Sequence, residues 1–259
     1  TKQLIRLGVD VSTQAGWVHN IGLRTYAGRA EPFEFLWPEL ASFPNYGLTR
    51  QRGDFDEMLA RLAVTAGATL YEDTNASEPI LDPASDRIVG VRAKDGREFR
   101  APIVVAADGN SSRIALAMGL EKNKLRPMGV AARAYFRAPS GDSDFLESCL
   151  ELWDGEPGAS NLLPGYAWMF PLGNGLINVG LGTVNSTATS QKLNVRKQLE
   201  TWLHGSTPRQ WGLTPENQVG GIGSAALPMS FNRKPAYTRG LVLVGDAAGM
   251  VSPFNGEGI

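Results

Sequence analysis

The sequence predicts an α/β fold (α+β overall), in which an incomplete Rossmann-like domain is interleaved with a mostly antiparallel β-sheet domain. Three observations predict it. Helix-and-strand texture at 48–127 and 236–259 flanks a stretch of repeated alternating runs between 129 and 182. The apolar runs at 103–107 and 241–244 each end in a Gly/Asp turn, as buried parallel strands do when they lead to a ligand edge. Hydrophobic residues make up 42% and charged residues 20%, the balance of a globular chain. The expected segments are 1–13, 48–127 and 236–259 for the first domain, and 14–47 and 128–235 for the second.

Each element has a local reason. The first residues read as the second half of a helix closed by Gly8. Alternation around Gly22, Gly28 and Pro32 reads as a hairpin over 17–37, and 38–53 as a loop. Asp54 and Glu57 have capping-box spacing, and Phe55, Leu59, Leu62 and Ala66 recur at helical spacing before Gly67. A short strand is expected at 68–71. Asp95-Gly96 joins two short strands as a tight turn. The run at 103–107 ends at Asp108-Gly109, and Ser111 or Ser112 caps a helix ended by Gly119. Strands are expected at 129–138, 147–153, 166–171 and 175–182. Val195, Leu199 and Trp202 mark an amphipathic helix, and the Gly, Pro and Ser content of 205–235 predicts loop with short strands.

Bulk properties narrow the function classes. The net charge of −1 gives no electrostatic reason for nucleic-acid binding. The one cysteine, Cys149, cannot form an internal disulfide and reads as a core thiol. His19 and His204 have no nearby cysteines, so no metal site is expected. No apolar run approaches the roughly 20 residues of a membrane helix, which leaves peripheral membrane contact open. Both ends read as internal to a longer protein: there is no initiating Met, and the last residues stop in a loop expected to open a helix.

The closing run GDAAGMVSPFNGEGI, 245–259, carries the most chemistry. Gly245 allows an unusual turn after a strand. Asp246 offers a carboxylate to ribityl or ribose hydroxyls. Ala247, Ala248 and Gly249 are small enough for backbone to approach a diphosphate. Pro253 fixes the chain, and Gly256 and Gly258 expose N–H groups at an expected helix start, which favours negative charge. This string reads as a flavin-binding turn. VVAADGNSSR, 104–113, is a second strand–turn–helix; Asp108-Gly109 lies either near a cofactor diphosphate or in solvent as an ordinary turn. Tyr166, Trp168 and Phe170 alternate with Ala167 and Met169, as a pocket or as one face of a buried strand. The sequence contains no Ser-His-Asp set or close His-carboxylate pair, so no catalytic side chain is named. That fits flavin chemistry, where the cofactor supplies the reactive atom.

These two turns, together with LPGYAWMFPLGNG at 163–175, resemble the geranylgeranyl reductase family, within the flavoprotein group typified by para-hydroxybenzoate hydroxylase. SAALPM at 224–229 and NGEGI at 255–259 look like its menaquinone-reductase branch. The resemblance implies FAD as cofactor. It also implies that Tyr166, Trp168, Phe170 and Pro171 match a Tyr-x-Trp-x-Phe-Pro substrate segment. Arg52 matches the family's Arg-x-x-Phe-Asp pattern with a one-residue shift, as a flavin contact or else a surface arginine. Ala76 meets the adenine end through its backbone, Asp246 matches the flavin aspartate, and Gly258 with Ile259 match the backbone beside the ring. The family's amino-terminal Gly-x-Gly-x-x-Gly loop is absent from this sequence.

The implied activity is saturation of C=C bonds in a geranylgeranyl group or menaquinone tail by hydride from reduced flavin N5. The partners would be an isoprenoid lipid or quinone and an electron donor, NADPH or a reduced carrier. The expected location is cytoplasmic, peripheral at the inner membrane face. Two alternatives stay open: a flavin aromatic monooxygenase of the same fold, and a non-catalytic isoprenoid-binding fragment.

Overall fold

A computed structural model describes residues 1–28 and 31–258, without the side chains of 188, 189 and 206. The chain divides into two compact units. One comprises Thr1–Ala68, Ala131–Thr183 and Thr187–Ala225; the other comprises Thr69–Val130, Val184–Ser186 and Ala226–Ile259. Residues 1–13 and 48–68, expected with the closing run, thus cluster with the first unit. Residues 128–130 and 226–235, expected with the antiparallel sheet, cluster with the second.

The first unit is organised by a seven-stranded sheet. Its order is Gln218–Pro228, Met128–Arg137, Leu176–Val184, Gly165–Gly173, Phe145–Cys149, Gly22–Tyr26 and Phe33–Leu36. Phe145–Cys149 runs parallel to Gly22–Tyr26 and antiparallel to Gly165–Gly173, which is in turn antiparallel to Leu176–Val184. Bonds from Ala138 N–H to the Gly175 carbonyl and from Asn185 N–H to the Met128 carbonyl, at 2.9 and 2.7 Å, bracket the pairing of Met128–Arg137 with Leu176–Val184. They make it antiparallel and set Arg133 opposite Gly180.

Period-two alternation gives this sheet two distinct faces. One face buries Ala134, Phe136, Ala167, Met169, Ile177, Val179 and Leu181. Leu199, Trp202, Trp211 and Leu213, from helices Val195–Leu203 and Ser206–Gln210 and the residues after them, pack on it. A buried carboxylate sits on the same side. Glu147 accepts from Arg24 Nη1 at 3.0 Å and from the Tyr26 hydroxyl at 2.7 Å, so its charge is paired rather than stranded. Cys149 is buried beside this layer, and burial pushes its thiol pKa up.

Several sequence expectations change here. The strand Val18–Asn20 pairs with Gly47–Thr49, inside the expected loop. The N-cap of the helix Arg52–Thr65 lies three residues earlier than expected. Gln51 is its N-cap, with no side-chain cap bond, and Asp54 lies in the first turn instead, where its charge still suits the helix dipole. Residues 68–71 form no strand, because nothing among the described residues pairs with them. Gln218–Pro228 is a strand of 11 residues within the tract expected to be mostly loop.

The second unit holds two small sheets. Ala76–Leu81, Ile88–Ala93 and Glu98–Arg100 form an antiparallel set whose last two strands are the expected hairpin. Val104–Ala106 runs parallel to Leu241–Leu243 with Ala106 opposite Leu243, and Tyr237–Thr238 flanks the pair. Ile88, Ala106, Ile114, Met118, Leu241 and Leu243 form the core. The register partners Val105 and Val242 face the other way and are 58% and 36% exposed. The two strands expected to be buried thus carry the core on one face within this unit.

Facing predicts unequal mutational cost. Leu243→Ala should destabilise by about 2–5 kcal/mol, and Val242→Ala by under about 1 kcal/mol. Urea unfolding of the two variants checks this; equal losses would contradict the assigned faces.

Candidate functional site

The parallel pair sets two turns side by side. Val244 N–H donates to the Ala106 carbonyl at 3.1 Å, so both strands end on one carboxyl edge, where open α/β sheets hold ligands. Asp108-Gly109 leaves one strand and Gly245-Asp246 the other. Gly109 has φ +76° and Gly245 φ +57°, and a Cβ at either would meet nothing within 4 Å. The left-handed backbone therefore requires glycine here, while the space beside each turn stays open. Ser112 caps the helix Arg113–Ala117 through the Ala115 N–H at 3.2 Å, as expected.

The closing turn differs from its sequence reading in detail. Ala247 and Ala248 are fully buried. Ala248 N–H and Gly249 N–H donate within the turn, to the Gly245 and Asp246 carbonyls at 3.0 and 3.1 Å. Smallness here serves inward packing: a Cβ at Gly249 would run into Asn232. Gly258 comes back to the turn, and a Cβ on it would lie 3.2 Å from Asp246 Oδ1. Pro253 sits in a tight turn closed by Gly256 N–H donating to Ser252 O at 2.9 Å. The described residues 252–258 form a turn and irregular chain. Ile259 lies outside the described residues.

Sequence reasoning missed a strap at 229–233. Phe231 N–H donates to the Gly249 carbonyl at 2.7 Å and Ser230 N–H to the Val251 carbonyl at 3.1 Å. The Asn232 carbonyl accepts from Asn123 N–H at 2.6 Å. Arg233, 1% exposed, donates to the carbonyls of Leu120 and Asn110. One segment thus grips the closing turn on one side and both flanks of helix Arg113–Ala117 on the other. Ser230 and Phe231 take φ +57° and +51°, unfavourable for side-chain-bearing residues and held by these bonds. Burial pulls the Arg233 pKa down and nearby Asp108 pulls it up. Lys122, bonded to Asn110 Oδ1, is lowered by burial and then by Arg233, while Asp246 raises it.

Arg52 and Ala76 stand apart from this cluster in kind. Arg52, in the first unit, forks onto Asp56 at 3.1 and 3.0 Å on the exposed side of its helix. Ala76, in the second, is the exposed first residue of its strand, opposite Ala93.

The aromatic stripe occupies the second face of the large sheet. Ala167, Met169 and Pro171 point into the core, while Tyr166, Trp168 and Phe170 are half-buried on the opposite side. Their rings form a ladder, with centroids 5.9 Å apart for Tyr166–Trp168 and 6.1 Å for Trp168–Phe170. Trp168 Nε1 donates to Asn178 Oδ1 at 3.3 Å. The indole overlies Gly180, its cross-strand partner, where a Cβ would collide with the ring. These rings are not core filling; they make an aromatic surface, tilted by 57° between Tyr166 and Trp168, with glycine relief beside it. A separate open cleft of about 530 Å³ contains none of the residues singled out by sequence.

Comparison with known proteins agrees with the motif resemblance. The chain is 34% identical over 245 residues to menaquinone reductase of Mycobacterium tuberculosis, covering 95% of this chain and 58% of that protein. It is 35% identical over 219 residues to digeranylgeranylglycerophospholipid reductase 1 of Methanopyrus kandleri, covering 82% and 54%. The chain therefore spans between half and two thirds of these relatives. A crystal structure of a geranylgeranyl bacteriochlorophyll reductase-like protein from Thermoplasma acidophilum has the same fold. Its TM-score is 0.76 at 24% identity, over 98% of this chain and 61% of that one. The profile of the tryptophan halogenase family matches residues 18–259, and the chain belongs to that family.

Proposed function

We propose that the chain is part of an FAD-dependent prenyl reductase, an oxidoreductase that saturates C=C bonds of a geranylgeranyl group or a menaquinone tail. The observation that carries this reading is the aromatic ladder of Tyr166, Trp168 and Phe170, raised off the core and facing glycine. It is an aromatic surface suited to an isoprenoid chain, in a chain whose relatives include a menaquinone reductase. The family profile favours a second reading, a flavin enzyme that modifies an aromatic ring by halogenation or oxygenation; the fold is common to both.

The cofactor fit is read from the second unit. Gly109 and Gly245 leave the carboxyl edge of the parallel pair free of side chains. Asp246 stands beside Gly258 with a carboxylate for ribityl or ribose hydroxyls, and Asp108 marks the neighbouring turn. We assign Asp108, Gly109, Gly245, Asp246, Pro253, Gly256 and Gly258 to the flavin, with Arg52 and Ala76 as outlying contacts. Reduced FAD, when bound, supplies hydride at N5. The chain's own residues orient the acceptor: Trp168 and Phe170 hold the tail flat and exclude water from the alkene. No side chain is assigned as the proton donor. Among the described residues no helix is long and apolar enough to cross a membrane. From the membrane-resident nature of the proposed substrate we infer peripheral work at the cytoplasmic face, with NADPH or a reduced carrier as electron donor.

Two measurements test this. The full-length protein, reduced without oxygen and offered geranylgeranyl lipids and menaquinone, should yield products heavier by pairs of hydrogens. Gain of oxygen or halogen in air, without hydrogenation, would favour the second reading. Asp246→Ala should weaken FAD binding about 10- to 100-fold, the loss expected for a charge-assisted bond; unchanged affinity by equilibrium dialysis would remove Asp246 from the flavin site.

A further inference from the structure

The aromatic face carries a cation that the reading above leaves unused. Strand registers align side chains in rows across this face. Arg133, Gly180, Trp168, Ser148 and Thr25 form one row, with Tyr135, Asn178, Phe170, Leu146 and Leu23 on one side of it and Ala131, Gly182 and Tyr166 on the other. Arg133 is the one charged residue in these rows. It is half-buried, its guanidinium lies 4.7 Å from the Tyr135 ring centroid, and among the described residues it makes no ion pair. Polar groups elsewhere in its row and the next bond one another. Trp168 Nε1 bonds Asn178, and the Thr25 and Ser148 hydroxyls bond each other at 3.1 Å.

A guanidinium held by stacking keeps its in-plane donors, and these match the oxygens of a phosphate. An aromatic floor with one cation two strands away from the indole also fits an amphiphile, tail on the rings and anionic head at the charge. We propose that Arg133 is a specificity-determining residue that binds the phosphate head of a prenyl-phosphate or prenyl-phospholipid substrate whose tail lies along Trp168 and Phe170. Gly180, between Arg133 and Trp168 in the row, lets the indole lie flat and leaves no side chain standing between head and tail. This inference rests on the prenyl reading of the face and names its substrate class.

The test compares two probes with one tail, geranylgeranyl diphosphate and geranylgeraniol, on the full-length protein. The native protein should bind the diphosphate about 10- to 100-fold more tightly, the range for a charge-assisted bond. Arg133→Leu should abolish that preference while leaving the alcohol's affinity within about twofold, and Arg133→Lys, which keeps the charge without the planar fork, should retain part of it. A native protein with no preference, or an Arg133→Leu variant that keeps it, overturns the assignment while the prenyl reading stands. Saturable binding of neither probe overturns the prenyl reading and this subsite with it. Should Arg133→Leu bind neither ligand while the native protein binds both, Arg133→Gln, with a polar stem of similar reach, carries the same comparison.

Discussion

The candidate cofactor site depends on one short pairing. Val104, Val105 and Ala106 lie in parallel register with Leu241, Val242 and Leu243, although the chain builds most of the large sheet between them. That pairing turns two separate strand–turn motifs into one edge, and each turn alone would be an ordinary glycine bend. Leu241, Leu243 and Ala106 hold the pairing from the core side. Arg233 and its strap hold the turns that issue from it, through the carbonyls of Asn110, Leu120 and Gly249. The buried guanidinium has its Nε without a hydrogen-bond partner, so its fit is tolerated rather than ideal. A buried arginine that serves only carbonyls adds little net stability; what it supplies here is a defined position for two loops.

The parts legible in the sequence are those with local causes. Gly109, Gly245 and Gly96 mark turns because only glycine takes their backbone angles readily, and Ser112 marks a helix start because its hydroxyl accepts from the N–H three residues on. Alternation at 166–170 revealed a strand, and the motif match singled out the face that carries Tyr166, Trp168 and Phe170. What stayed hidden has distant causes. Gln218–Pro228 contains Gly220, Gly221 and Gly223 and reads as loop; it is a strand because Met128–Arg137 lies beside it. Arg233 looks like any loop arginine, since the carbonyls it serves come from residues more than a hundred positions earlier in the chain. The helix at Arg52 begins ahead of its apparent cap because Asp54 suits the first turn as well as the boundary.

The large sheet separates two chemistries by alternation alone. On one face Glu147, Arg24 and Tyr26 satisfy one another beneath the helices Val195–Leu203 and Ser206–Gln210. On the other, aromatic rings stand beside glycine with Arg133 in the same row. Reductases and halogenases share this scaffold, so the scaffold is neutral as to reaction. Differences among members are to be sought in the residues of this second face and in what the two turns hold.

The same alternation constrains how the chain can change over evolutionary time. Removing one residue from the strand Gly165–Gly173 would slip its register and exchange its faces. Tyr166, Trp168 and Phe170 would be driven under the helices, and Ala167 and Met169 would be left on the open side. Substitutions can enter this strand singly, but insertions and deletions cannot, so length variation should collect in the connecting loops. The aromatic face is in this sense inherited as a reading frame: its chemistry can drift residue by residue, while its phase must be kept whole.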